Sequence, residues 1–230
     1  MLSPIKIKNR MKILNLYSCL GGNRYKFNEV AAEAGIEIEV TAVEWDEELA
    51  RLYQERFPND TVIVADAHQY LLDHYKEFDF IWSSPPCPTH SRFNLSMKTV
   101  QKMRYPNMEL YQEIIFLDTF FDGKYCVENV IPYYQPLIAA KKRGRHLYWT
   151  NFSLPNDLKD RKNPQLSRGL SKDIVESLSK YHKYNFYKYK GKQDVRKIAR
   201  NLVDYEAGRT ILETALGIIR KQNIKQTELF

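Results

Sequence analysis

Between Met11 and Val130, five short apolar runs alternate with stretches whose apolar residues recur at helical spacing, and the runs give way to polar residues. This alternation limits the fold more than any other feature. Repeated strand–helix units bury their strands in a parallel sheet covered by helices on both faces, so the chain reads as α/β. The runs are Met11–Tyr17, Ile38–Val43, Thr61–Ala65, Phe78–Trp82 and Lys124–Val127. Phe27, Val30, Ala31 and Ala34 predict a first helix, with Gly35 as its C-cap. Asp46 is placed to cap a second, carrying Leu49, Leu52 and Tyr53 and ended by Pro58-Asn59. A short helix reaches about Tyr75, and another spans 108–121 with Tyr111, Ile114, Ile115 and Asp118 on successive turns.

In an open α/β sheet, ligands bind beyond the carboxyl ends of the strands. The glycine-bearing turn Ser18–Asn23 follows the first strand and lets backbone approach a ligand; ordinary tight turns use glycines as often. Glu44 ends the second strand about 20 residues later, where nucleotide-binding folds hold ribose hydroxyls. Trp45 offers a flat face for an adenine, the alternative being core packing, and Asp66 ends the third strand. The fourth is stopped by Pro85-Pro86, which hold Cys87 in a rigid turn. A thiolate there is a nucleophile; the competing reading is a small apolar loop residue. Glu128-Asn129-Val130 closes the fifth strand, so a carboxyl and a thiol would be neighbours across one cleft. The loop Pro88–Pro106, with His90, Arg92, Asn94, Lys98 and Arg104, is long enough to be a functional lid or disordered.

At 230 residues the chain suits one domain with a small appendage. Three cysteines, irregularly spaced, suit a reducing compartment and neither a disulfide framework nor a CxxC metal site, so no metal is expected. No apolar segment reaches the length of a membrane span, and residues 1–10 lack a signal-peptide core; a cytoplasmic protein without a membrane partner is expected. The net charge of +7 is localised: residues 141–200 hold 17 Lys and Arg against 5 Asp and Glu. Tyr181, Tyr184, Phe186, Tyr187 and Tyr189 interleave there with Lys180, Lys183, Lys188, Lys190 and Lys192. This mix suits a surface that tracks phosphates and stacks bases, or a strand pair with lysine-guarded edges.

Tyr17-Ser18-Cys19-Leu20-Gly21-Gly22, Glu44-Trp45, Asp66, Pro86-Cys87 with Ser91, and Glu128-Asn129-Val130 together resemble the DNA cytosine-5 methyltransferases, particularly compact phage and prophage forms. The resemblance covers about residues 11–152 and returns loosely from Arg200. It implies a Rossmann-like class I S-adenosylmethionine-dependent methyltransferase sheet over 11–152, a small basic DNA-recognition insert over 153–200, and a C-terminal helix within 201–230 returning to the catalytic domain. It further implies that Tyr17, Leu20, Gly21, Gly22, Glu44, Trp45, Asp66, Ala67 and Pro86 form the S-adenosylmethionine site. Cys87 would add to C6 of a flipped-out cytosine while Glu128 hydrogen-bonds N3 and the amino group. Arg143-Gly144-Arg145 matches the family's arginine motif, and Arg145 is favoured over Arg143 for the cytosine carbonyl. Ser91, Arg92, Lys180, Lys183, Lys188 and Lys190 would contact double-stranded DNA.

The chain departs from the family at Cys19, which replaces a glycine and must hold φ < 0 or bear strain. The usual C-terminal Gly-Asn pair is lacking, and Glu213-Thr214 stands nearest to it, in a helix striped by Ile211, Leu212, Ala215, Leu216 and Ile219. The insert is small, which implies a short recognition site or a homodimer that enlarges the surface. Competing readings are an amino-methyltransferase of adenine N6 or cytosine N4, for which Ser84-Pro85-Pro86 fits but Cys87 does not. Others are an RNA cytosine-5 methyltransferase and a non-catalytic DNA-binding regulator.

Overall fold

The computed structural model describes residues 10–96, 104–155 and 171–218. Lys98, Ile219, the basic start of the chain and residues 156–170 of the basic insert lie outside the described residues. Seven strands form one sheet in the order β3-β2-β1-β4-β5-β7-β6. β1 (Arg10–Leu16), β2 (Glu37–Glu44), β3 (Thr61–Val64), β4 (Phe80–Ser83) and β5 (Lys124–Val130) are parallel, as the alternating pattern predicts. β6 (Lys141–Arg143) and β7 (His146–Thr150) depart from that expectation. The two residues between them, Gly144-Arg145, make a hairpin turn with Gly144 at φ +54°, and so short a turn joins only antiparallel neighbours. β7 therefore returns into the gap beside β5, antiparallel to it.

Side-chain alternation along the strands separates two cores. Leu14, Leu16, Ile81, Tyr125 and Val127 point to the face covered by α3 (Ala67–His74) and α5 (Glu109–Phe120). Ile13, Phe80, Trp82 and Cys126 point to the other, covered by α1 (Phe27–Ala34) and α8 (Tyr205–Ala215). Helix boundaries follow local chemistry. Asp46 caps α2 (Glu47–Arg56) by accepting the Glu48 and Leu49 N–H groups, both at 3.0 Å, and Asp66 caps α3 through Gln69. Gly35 ends α1 in the left-handed conformation, φ +67°. The stripe on α5 differs from expectation: Ile115 is exposed, and the inward side is Leu110, Tyr111, Glu113, Ile114 and Leu117. Among the described residues, the long loop after Cys87 contains one short helix, α4 (Phe93–Ser96).

The described part of the basic insert is helical. α6 (Ser171–His182) and α7 (Val195–Asn201) flank a 3-10 turn at Phe186–Lys188, so the strand-pair alternative does not hold. Ile174, Val175, Leu178, Phe186, Tyr189 and Ile198 pack with Leu20, Leu49 and Leu52 in a third core. Phe186 (0% exposed) and Tyr189 (4%) are therefore structural, leaving Tyr187 as the exposed ring of the pair's neighbourhood. Of the five rings expected to stack bases, Phe186 and Tyr189 instead anchor the insert in this core.

A buried ion pair underlies α2. Arg24 donates through Nε and Nη2 to both Asp60 oxygens at 2.9 and 2.8 Å, and the Tyr53 hydroxyl donates to Asp60 at 2.9 Å. Removing one partner strands a charge without water. Asp60→Ala is expected to lower stability by about 3–5 kcal/mol, read as a shift in the urea unfolding midpoint.

Candidate active site

The turn after β1 is strained. Tyr17 (φ +54°), Cys19 (φ +48°) and Gly21 (φ +64°) are all left-handed, so Cys19 takes the conformation that its side chain disfavours. Fixed hydrogen bonds impose it: Ser18 N–H donates to Val43 C=O at 3.0 Å, Cys19 N–H to Glu44 Oε2 at 2.8 Å, and Gly21 N–H to Ser18 C=O at 2.8 Å. Glu44 is buried and its other oxygen accepts from Asp46 N–H at 3.0 Å. Burial pushes its pKa up, against the pull of these backbone donors. The Trp45 N–H also bonds the Glu44 carboxylate, whose two oxygens can accept more bonds than these backbone groups supply, and Ser18 Oγ is buried with no hydrogen-bond partner. Acceptors and a hydroxyl thus remain for a ligand at the strand ends, beside Trp45, which is 74% exposed, and exposed Asp66. These features fit a nucleoside-bearing cofactor such as S-adenosylmethionine.

The glycines answer to the chain's own packing. A Cβ at Gly21 would lie 2.4 Å from the Phe57 ring, and one at Gly22 would lie 2.2 Å from Val203 C=O. Leu20 is buried in the third core, and its carbonyl accepts from Arg56 Nη1 at 2.8 Å. Ala67 is buried at the start of α3, while Pro86 is exposed beside Cys87. In α8, Gly208 packs against this turn: its Cβ would meet Asn23 C=O at 2.0 Å. Buried Glu213 accepts from Arg209 Nε at 2.7 Å, and Thr214 donates to Thr210 C=O.

The Cys87 loop is docked on the segment after β5. Asn129 Nδ2 donates to Pro85 C=O at 2.9 Å, Tyr133 N–H donates to His90 C=O at 3.0 Å, and Ser91 bridges to Pro132. Cys87 C=O accepts the N–H groups of His90 and Ser91, and Arg92 Nε reaches Pro132 C=O at 3.5 Å. Prolines at 85 and 86 offer no N–H, so the loop contributes acceptors to this docking. Buried Glu128 stands on the adjacent strand, 3.6 Å from His146 Nε2. Cys87 is half-buried, and burial first, then the Glu128 charge, push its thiol up to about 11; Lys197 and Arg145 pull the other way. Arg145 is exposed in the β6–β7 turn and Arg143 is buried. Lys197, on α7, escaped sequence reasoning because only the folding of α7 brings it near Cys87. Lys180, Lys183 and Lys190 are exposed; Lys188 pairs with Glu55, and the Lys183 ammonium sits 5.8 Å from the Tyr205 ring centre.

Cys19 and Cys126 have thiols pushed up further than Cys87, Cys19 by burial and then by Glu44, Cys126 by burial and then by Glu128. Alkylation by iodoacetamide is expected to strike Cys87 first, slowly at neutral pH and faster as pH approaches 11. Glu128→Gln removes one raising charge, so its Cys87 alkylation profile shifts to lower pH, as peptide mass spectrometry would show.

Residues 11–116 match the sequence profile of the family described as C-5 cytosine-specific DNA methylase. Among solved structures, Entamoeba histolytica methyltransferase EhMeth is 9% identical, covering 92% of this chain and 99% of that one at a TM-score of 0.53; this likeness is one of fold. Spodoptera frugiperda DNMT2 (E260A/E261A/K263A mutant) is 25% identical over 52% of this chain at a TM-score of 0.35, and the match spans 35% of the DNMT2 chain. SMU.776, crystallised with SAH, is 18% identical over 52% of this chain and 31% of its own, at 0.34. No curated protein matches the chain.

Proposed function

We propose, from the match of residues 11–116 to the C-5 cytosine-specific DNA methylase family, that the protein methylates cytosine C5 in double-stranded DNA through a covalent bond to Cys87. One observation carries the reading: Cys87 and Glu128 follow from adjacent parallel strands, and Asn129 fastens the Cys87 loop to the strand that bears Glu128. A thiol and a carboxyl so joined are placed to act on one ring. Exocyclic amine transfer would need neither.

Tyr17, Ser18, Glu44, Trp45 and Asp66 would hold S-adenosylmethionine, which would supply an electrophilic methyl group. The Cys87 thiolate adds to C6 of an extruded cytosine, forming the S–C6 bond and moving the C5–C6 electron pair toward C5. Glu128 shares a proton with ring N3 and accepts from the amino group, neutralising charge as it builds. That shared proton also removes the negative charge that raises the thiol pKa. Arg145 donates to the cytosine carbonyl. Once C5 carries the methyl group, loss of its proton to solvent reforms the C5–C6 double bond and expels the thiolate, restoring Cys87.

The exposed lysines of α6 and the insert, with Lys197 and Arg200 on α7, are read as phosphate contacts that bring duplex DNA to Cys87. Because Phe186 and Tyr189 are used internally, the recognition surface is small, and a homodimer is the form that would enlarge it. Three free thiols suit a cytoplasmic setting.

Duplex DNA carrying 5-fluorocytosine and S-adenosylmethionine should give a denaturant-stable protein–DNA adduct, because fluorine at C5 blocks the elimination. Cys87→Ala should give none and should lower methyl transfer by roughly a thousandfold or more. Labelled methyl on an exocyclic amine, or transfer confined to RNA, would overturn this reading. Duplex affinity should also fall steeply between low and physiological salt.

A further inference from the structure

Glu113 lies in the middle of α5, fully buried at 0% exposure, among Leu110, Ile114 and Leu117. A carboxylate in that position costs several kcal/mol unless its oxygens are hydrogen-bonded. Three side chains from separate parts of the fold supply the bonds. The Tyr17 hydroxyl donates to Oε1 at 2.6 Å, the Ser83 hydroxyl donates to Oε2 at 2.5 Å, and His68 Nδ1 lies 3.0 Å from Oε1. Tyr17 opens the strained turn after β1, Ser83 ends β4 at the start of the Cys87 loop, and His68 stands in the first turn of α3 just after Asp66.

We propose that Glu113 is a positioning residue: it sets the distance between the cofactor-side turn and the Cys87 loop by holding Tyr17 and Ser83 on its two oxygens. The inference rests on the methyl-transfer reading above, and it adds a residue that touches neither cofactor nor base. The ladder already pairs Leu16 with Ser83; beyond that point the two hydroxyls approach opposite oxygens of one rigid planar group, so the carboxylate fixes how the turn after β1 and the loop after β4 sit against each other. Gln would turn an N–H₂ toward one of the hydroxyls, which would have to reverse from donor to acceptor and give up the charge-assisted bond on that side. Ala would leave both hydroxyls unpartnered.

His68 gives the bridge a pH signature. Its pKa is raised, first by the Glu113 hydrogen bond against an opposing burial effect, then by the charges of Glu113, Glu109 and Asp66, which all face it. A raised imidazole pKa means that the His68–Glu113 ion pair is complete below the ordinary value of 6.5 and is lost as pH rises through the folded-state value.

The test compares wild type with Glu113→Gln, Ser83→Ala and Tyr17→Phe. Steady-state methyl transfer gives kcat and the cofactor KM, calorimetry gives S-adenosylhomocysteine binding, and histidine NMR titration gives the His68 pKa. Glu113→Gln should lower kcat and raise the cofactor KM, each by about 10- to 100-fold, with the His68 resonance titrating closer to its ordinary value. Ser83→Ala should carry the kcat loss with KM within about twofold of wild type, and Tyr17→Phe should carry the KM rise. The proposal is overturned if Glu113→Gln keeps both constants within twofold. Should that variant not fold, unchanged constants in both single-hydroxyl variants overturn it equally. Wild type that neither binds S-adenosylhomocysteine nor transfers methyl would sink the methyl-transfer reading and this proposal with it, whereas an active wild type matched by all three variants sinks this proposal alone.

Discussion

The bond from Cys19 N–H to the buried Glu44 carboxylate is the interaction on which the rest of the site depends. It pulls the turn after β1 onto the end of β2 and holds Cys19 in a left-handed conformation that the residue would not adopt freely. The other Glu44 oxygen accepts from Asp46 N–H, and Asp46 in turn caps α2. Asp46 Oδ2 then accepts from the Tyr189 hydroxyl at 3.0 Å and from Gln193 Nε2 at 2.8 Å. A single run of hydrogen bonds therefore joins the cofactor-side turn, the second strand, a helix start and the basic insert. Any ligand that engages Glu44 acts on a group whose neighbours also seat the insert.

The parts legible in sequence were those governed by local rules. Five parallel strands, the Asp46 and Asp66 caps and the Gly35 stop each follow from a few adjacent residues, and the structure shows them where the pattern places them. Taking consecutive strands as neighbours anticipates the pairing of β4 with β5, whose ends lead to Cys87 and Glu128; the same rule fails for β3 and β4, which β2 and β1 separate. The antiparallel β6–β7 edge was not, because its signal is a single glycine at 144 inside an otherwise basic stretch.

Tertiary context decided the remainder. The rings at 184–189 look like stacking residues in sequence, yet Phe186 and Tyr189 fill the third core, and Tyr184 lies with Tyr25 and Phe57 around the Arg56 guanidinium. Gly21 and Gly22 look like a ligand cradle, yet the rings of α2 and the backbone of Val203 occupy the space a Cβ would need. Glu113 looks like one acidic residue of an amphipathic helix; only the folded arrangement of Tyr17, His68 and Ser83 reveals its partners. Spacing along one helix says nothing about donors that arrive from 30 to nearly 100 residues away.

This division has a physical consequence for specificity. The described part of the insert is held against Leu20 and α2 by its own apolar and aromatic residues and by ion pairs such as Lys188–Glu55. A rigid, lysine-rich surface can match the regular spacing of phosphates, which carry no sequence information. Reading bases requires side chains free to reach groove edges, and two of the insert's rings, Phe186 and Tyr189, are committed to the core. On the proposed reading, discrimination among sequences would fall to the Cys87 loop and the exposed turn of Gly144-Arg145.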